Sequence, residues 1–418
     1  MIDFDVIVVG SGIVGSTAAL ALAQNTSLQV AIIDSRQISA EWQSAVLDHR
    51  VSAISLVSQR IFQHVNVWKD IQAKRTSPYV HMHVWEEAST ADITFNASSM
   101  NESQLGCIIE DSVMRTCLYD AFSQYSNLHV ISPVQLIAMY EKTDSIELKA
   151  EDGREYSTRL LIAADGANSW VREQAGIQLK THDYEHTAIV ATVKTALPHQ
   201  STAWQRFLKK GPLAFLPLQE PHTSSIVWST HPLHAKELLA MDQAMFEAAL
   251  SEAFEYKLGK ASLIGERYHF PLQMRHAKNY VKDRIALIGD AAHTLHPLAG
   301  QGVNLGLLDA ACLVEIIMDA LEKKRNFSSF STLRRYERWR KGDNLLMLSM
   351  VEMLKNIFVS DAVFFQKLRQ LGLNFTDKNF FLKSFFMKYA LGKRTDLPYH
   401  LTAYVPQDNK PRDVDRGA

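Results

Sequence analysis

Phe4-Asp5-Val6-Ile7-Val8-Val9-Gly10-Ser11-Gly12-Ile13-Val14-Gly15 is the stretch on which the fold turns. Residues 4 to 9 form a nearly continuous apolar run, the pattern of a parallel strand buried on both faces. Gly10, Gly12 and Gly15 then mark a G-x-G-x-x-G turn, and Ile13 to Gln24 is an alanine-rich helix leading to a second strand, Gln29 to Ile33. In such a βαβ unit the first glycine permits the tight turn. The second lets backbone amides approach a pyrophosphate, and the third lets helix and strand pack closely. The helix N-terminus adds free amides and a positive dipole end. Asp34 closes the second strand, where a carboxylate can accept hydrogen bonds from a ribose. These features together specify a dinucleotide site.

A second strand-end site narrows the ligand. Arg284-Ile285-Ala286-Leu287-Ile288-Gly289-Asp290-Ala291-Ala292-His293 delivers Gly289 and Asp290 into a small-residue turn, placing a carboxylate where ribityl hydroxyls of a flavin could be held. Pro297-Leu298-Ala299-Gly300-Gln301-Gly302-Val303-Asn304 follows as a loop opening a helix, whose N-terminal amides can stabilise negative charge on a reduced ring. A nicotinamide alone would not need this second loop. No second G-x-G-x-x-G unit exists, which disfavours the two-domain disulfide reductases, as does the lack of a redox cysteine pair.

The bulk properties bound the rest. A chain of 418 residues exceeds what one core usually supports, so at least two lobes are expected. With 47% hydrophobic and 21% charged residues it is a folded globular chain, and a formal charge of -1 argues against nucleic-acid binding. Cys107, Cys117 and Cys312 have neither C-x-x-C nor zinc-ligand spacing, which fits a reducing, cytoplasmic setting. The N-terminal apolar run is too short for a signal or a membrane span. His293 with His296, and His81 with His83, lack a third ligand, so no metal site is expected.

Along the chain, residues 108 to 175 form a second α/β segment and 284 to 322 a third, strand then loop then long helix. The strand-like stretches 79 to 96, 187 to 195 and 213 to 230 are expected to form a separate sheet. The fold class is thus α/β: a Rossmann-like FAD-binding domain with an inserted mixed β-sheet domain and a C-terminal helical tail. The expected boundaries are a discontinuous cofactor domain of 1–75, 105–185 and 270–342, a substrate sheet of 76–104 and 186–269, and a helical region of 343–418.

Taken in order, the motifs resemble the class A flavoprotein monooxygenases, whose FAD domain is of the glutathione-reductase type, and within them the ubiquinone-biosynthesis hydroxylases. Beyond the glycine fingerprint they are Asp48-His49-Arg50-Val51-Ser52-Ala53-Ile54-Ser55, the D-G motif Ala164-Asp165-Gly166-Ala167-Asn168-Ser169-Trp170-Val171-Arg172, Gly289-Asp290, and the run from His296 to Gly306. The resemblance implies that Gly10, Gly12, Gly15 and Asp34 hold the ADP half of FAD, with Arg50 near the flavin. It further implies that Asp165 and Gly166 serve FAD and reduced nicotinamide, and that Gly289 and Asp290 serve the ribityl and pyrophosphate region. Gly302, Val303 and Asn304 would meet the pyrimidine edge, and Pro297 would lie near flavin C4a. Two residues depart from the pattern: Asp34, where glutamate is commoner, and Asp111, where many such enzymes carry an arginine.

The implied chemistry is reduction of FAD by NAD(P)H or another donor, then reaction with O2 at C4a to a hydroperoxide whose distal oxygen is attacked by a phenol; no side-chain base is assigned. The implied substrate is a polyprenylated phenol, and the Arg334-Arg335-Tyr336-Glu337-Arg338 run with Asp396-Leu397-Pro398 leans toward C5 of 2-polyprenylphenol. Hydroxylation of a later precursor at C6 or C1, or of a small soluble phenol with Arg206 as a carboxylate clamp, are the alternatives, and a non-catalytic FAD-bearing scaffold is the rival outside catalysis. The basic, phenylalanine-rich tail from Val351 to Thr395 is expected to dock a ubiquinone-biosynthesis protein complex or the membrane surface, and a homo-oligomer is compatible with the sequence.

Overall fold

A computed structural model describes residues 2–39, 42–44, 47–87, 92–294, 302–359 and 397–398, with backbone alone from 346 to 359. The opening run becomes the strand Ile2–Val9, at the centre of a sheet with parallel neighbours Val30–Ile33 on one side and Glu155–Ala163 on the other. Beyond these lie Leu128–Ile131 and Ile285–Leu287, both parallel as well. Val6 to Val8 and Ile285 to Leu287 are wholly buried, because the helices Ile13–Asn25 and Gly302–Glu322 cover the sheet. Cys107, Cys117 and Cys312 are all free and buried.

The register fixes where a ligand can lie. Val9 is level with Ile33 and with Ala163, and Ala163 is level with Leu287. Four parallel strands thus end in line, and the residues that follow them form one edge. In open α/β sheets ligands bind outside the carboxyl ends of strands.

The strand-like stretches lie in a second sheet, ordered His293–Thr294, Ala261–Ala277, Leu179–Thr195, Thr223–Thr230, Gly211–Pro217, Thr202–Leu208, His81–Glu86 and Asp92–Asn96. One face is closed by the helices Pro232–Ala240 and Gln243–Ala253, with Ile189, Leu213, Phe215, Ile226 and Trp228 packed beneath them. The other face carries Ala188, Val190, Tyr268, Phe270 and Leu272, since paired residues of an antiparallel ladder share a face. A small sheet of Val51–Ser55, Gly106–Glu110 and Ser77–Tyr79 bridges the two, its Ala53 and Ile108 packing against Leu218.

Candidate active site

Each fingerprint glycine has its own physical reason. Gly10 has φ +103°, and a Cβ there would lie 2.4 Å from the Ala164 carbonyl oxygen. At Gly15 a Cβ would lie 2.0 Å from the Gly10 oxygen, so the helix can approach the strand only without a side chain. Gly12 differs: among the described residues nothing outside its own turn lies within 4 Å of a Cβ there, so no contact with them demands glycine. Open space beside an uncapped helix N-terminus is what an approaching pyrophosphate requires.

Asp34 braces this turn. One carboxylate oxygen accepts from the Ser11 amide (2.8 Å) and hydroxyl (2.7 Å), the other from the Arg36 amide (2.9 Å). Burial would raise its pKa, but the Arg36 and Ser11 amides outweigh that and hold it below the ordinary range. Tyr119 adds a bond to the Ser11 carbonyl (2.9 Å).

Farther along the edge, Asp165 accepts from the Val171 amide through Oδ2 (3.0 Å), while its buried Oδ1 has no partner among the described residues. A buried acceptor at a strand end, left unbonded by the protein, fits a ligand hydroxyl. Gly166 follows with φ +83° and open space around it. Arg172, the last residue of the D-G motif, ties the two strand-end loops together by donating to the Ala291 carbonyl (2.9 Å) and the Ala167 carbonyl (2.9 Å).

Asp290 remains exposed to solvent yet is densely surrounded, the signature of a cleft floor. Burial raises its pKa, with His293, Arg275 and Arg50 pulling it back. Arg50 is exposed and lies within electrostatic reach of both Asp290 and Asp111. Asp111 accepts from the Ser52 hydroxyl (2.9 Å), and burial pushes its carboxyl up to about 6. Gly302, Val303 and Asn304 form the first turn of the helix Gly302–Glu322. The Asn304 side chain is spent within the protein: it accepts from the Ser55 amide (2.9 Å) and Ser58 hydroxyl (2.7 Å) and donates to the Ala53 carbonyl (2.8 Å). What this turn offers a cofactor is its backbone. Pro297 lies outside the described residues.

One histidine of each pair has another occupation, and His296 lies outside the described residues. His293 is bonded to Asp309 (2.5 Å), and His83 to the Thr94 hydroxyl (2.8 Å). Sequence reasoning missed Asp309, Arg340 and Asn344, which meet behind the Gly289 turn; the signal available was a lone acid within the apolar Leu305–Val314 stretch.

The FAD binding domain family spans residues 3–342 of the chain. The 3-demethoxyubiquinol 3-hydroxylase of Escherichia coli is 34% identical over 388 residues, covering 93% of this chain and 98% of the relative. The ubiquinone hydroxylase UbiL of Rhodospirillum rubrum is likewise 34% identical, covering 93% and 89%. This chain belongs to the ubiquinone-hydroxylase family of FAD-dependent monooxygenases. The fold agrees: the crystal structure of p-nitrophenol 4-monooxygenase from Pseudomonas putida superposes with a TM-score of 0.74 at 17% identity, covering 94% of this chain and all of that one. As a member of the family the protein uses FAD, with O2 as cosubstrate and NAD(P)H or another donor for electrons. The residues present fit that cofactor at both ends: the open fingerprint turn for the pyrophosphate, the accessible Asp290 and the unbonded Asp165 oxygen for hydroxyls.

Proposed function

We propose that the protein hydroxylates the ring of a polyprenylated phenol in ubiquinone biosynthesis. The observation carrying this is the apolar face of the second sheet that no helix among the described residues covers. Tyr268 is 40% and Phe270 39% exposed, unusual for aromatic residues in the middle of a strand. Both project from the face opposite the covering helices, and the Tyr268 ring stacks on His49 at 4.0 Å, one residue from Arg50. An apolar wall therefore stands beside the segment that borders the cofactor cleft. It suits a ring with a hydrocarbon tail better than a small anion.

Bound FAD supplies the oxygen-transferring chemistry. The chain's own part is to hold and shield. Asp34, Asp165 and Asp290 offer acceptors to cofactor hydroxyls, the helix start at Gly302 offers amides, and Tyr268 and Phe270 offer a dry surface for the substrate ring. Arg206 does not support the small-carboxylate reading. It lies on the helix-covered face, donating to the Ala253 carbonyl (2.6 Å) and to Glu255 (2.5 Å).

For ring position, the Arg334 to Arg338 run does not discriminate, because it anchors a helix. Arg335 pairs with Asp319 (2.5 Å), Tyr336 donates to the Leu287 carbonyl (2.8 Å) and Glu337 accepts from the Tyr280 amide (2.8 Å). Leu397 packs on the cofactor-domain core. The Escherichia coli relative's name favours hydroxylation of a late demethoxy precursor, which we take as the first reading, with C5 of 2-polyprenylphenol as the second. Deleting the gene and identifying the quinone precursor that accumulates separates them: a demethoxy quinol supports the first, 2-polyprenylphenol the second, and unchanged quinone content overturns both. Contact with a membrane surface or a biosynthetic complex belongs to the same proposal, since a long-tailed substrate must be collected from one or the other. The tail positions from 360 to 395 on which it rests lie outside the described residues.

A further inference from the structure

The helix Gly302–Glu322 carries one fully buried acid: Asp309, between Leu308 and Ala310. A carboxylate in such a place is tolerated only when its lone pairs are filled. Here four donors fill them. Oδ2 accepts from His293 Nε2 (2.5 Å) and from the Gly289 amide (3.1 Å). Oδ1 accepts from Arg340 Nε (2.8 Å) and Asn344 Nδ2 (3.2 Å). A carboxylate accepts only, so the His293 nitrogen facing it carries the proton. Burial would raise the Asp309 pKa, but His293 and Arg340 outweigh it and bring it down to about 2, so the group is ionised.

The four donors come from two places. Gly289 and His293 flank Asp290 on the strand-end turn, whereas Arg340 and Asn344 belong to the helix Phe330–Val359. Arg340 is itself held, donating to Asp343 (2.9 Å) and to the Asn344 carbonyl oxygen of the side chain (2.8 Å). The same central helix uses Asn304 to fix Ala53 and Ser55 of the strand that follows Arg50, and Ser58 of the helix after it. One helix thus grips both walls of the cleft, Asn304 on the Arg50 side and Asp309 on the Asp290 side.

We propose that Asp309 is a positioning residue for FAD: it sets the Gly289-Asp290 turn through the Gly289 amide and His293, and is itself aimed by Arg340 and Asn344 of the C-terminal helix. Asp309 never touches the cofactor. The proposal rests on the FAD assignment, and wild-type protein that bound no FAD would refute that assignment instead.

The test measures the FAD dissociation constant, the visible circular dichroism of bound flavin and apoprotein melting in three variants. Asp309→Asn keeps the shape but replaces an acceptor oxygen with a donor; the expectation is at least about tenfold weaker FAD binding and an altered flavin spectrum. Arg340→Lys keeps the charge but loses the planar fork, and should weaken FAD binding by a smaller factor. Leu333→Ala loosens the same C-terminal helix at a fully buried position away from Asp309, and should lower melting with FAD affinity unchanged. Wild-type affinity and spectrum in Asp309→Asn would overturn the proposal. Should that variant not fold, the other two decide: equal FAD affinity in Arg340→Lys and Leu333→Ala overturns it, and weaker binding in Arg340→Lys alone sustains it.

Discussion

Asp34 and Asp290 both follow the last residues of parallel strands, yet the chain treats them oppositely. Asp34 is already bonded by two amides and a hydroxyl, which lower its pKa, whereas Asp290 accepts no hydrogen bond among the described residues and is raised. The carboxylate left without protein partners has the most to gain from a ligand. Asp290→Ala should therefore weaken FAD binding by about ten- to hundred-fold, the equivalent of roughly 1.5 to 3 kcal/mol for a hydrogen bond to a charged group; fluorescence titration of apoprotein reads this, and unchanged affinity would remove Asp290 from the site. Asp111 gives a pH prediction. Its folded pKa is raised to about 6, with burial the main cause, Asp48 adding to it, and Ser52, Arg115 and Arg50 opposing. A carboxyl raised in the folded state binds its proton more tightly there than unfolded, so it favours folding at low pH and loses that advantage as pH rises through 6. Asp111→Asn should accordingly raise the melting temperature at pH 8, on the order of a few degrees, and leave it nearly unchanged only below the ordinary carboxyl value of 3.8, where Asp111 is protonated folded and unfolded alike.

At the scale of elements, the opening strand, the fingerprint turn and the first helix were legible because each needs a residue type that little else explains: an apolar run, three glycines at fixed spacing, an acid at the next strand end. The second sheet was legible as strand-like stretches, but not its order, since pairing such as Leu179–Thr195 with Ala261–Ala277 depends on contacts far apart in sequence. Asp165 and Asp290 were found as motif members. Arg172 and Asp309 acquire meaning only when loops meet in space, through the Ala291 carbonyl and the Gly289 amide. Asn304 was placed at the cofactor; its side chain bonds Ala53, Ser55 and Ser58, which leaves the backbone of its turn for that role. The helix Phe330–Val359 is fastened to the sheet by Tyr336, whose hydroxyl donates to the Leu287 carbonyl from a fully buried position. Tyr336→Phe should cost about 0.5 to 1.5 kcal/mol in urea unfolding, the net worth of one such bond. A loss near zero would mean that apolar packing alone holds this helix.

For the whole molecule, the division of labour we propose is between a cofactor edge built by four parallel strand ends and an apolar sheet face that meets it where Tyr268 stacks on His49. No helix among the described residues is long and apolar enough to cross a membrane. Between Val351 and Thr395 the sequence carries Lys355, Lys367, Arg369, Lys378, Lys383, Lys388, Lys393 and Arg394 against Glu352, Asp361 and Asp377, a local basic excess suited to anionic lipid or an acidic partner. Truncation after about residue 375 should leave FAD bound while reducing quinone made in cells; normal quinone output, or loss of FAD, would count against a docking role. The three cysteines have a different bearing on how long such a protein lasts. Cys107 and Cys117 have their thiols pushed up to about 12 by burial, and Cys312 is raised further still. Oxidative damage to cysteine proceeds through the thiolate and needs access to it. A catalyst that handles oxygen has thus kept its cysteine thiols out of reach of oxidants, so it should age without sulfenic acids or intermolecular disulfides.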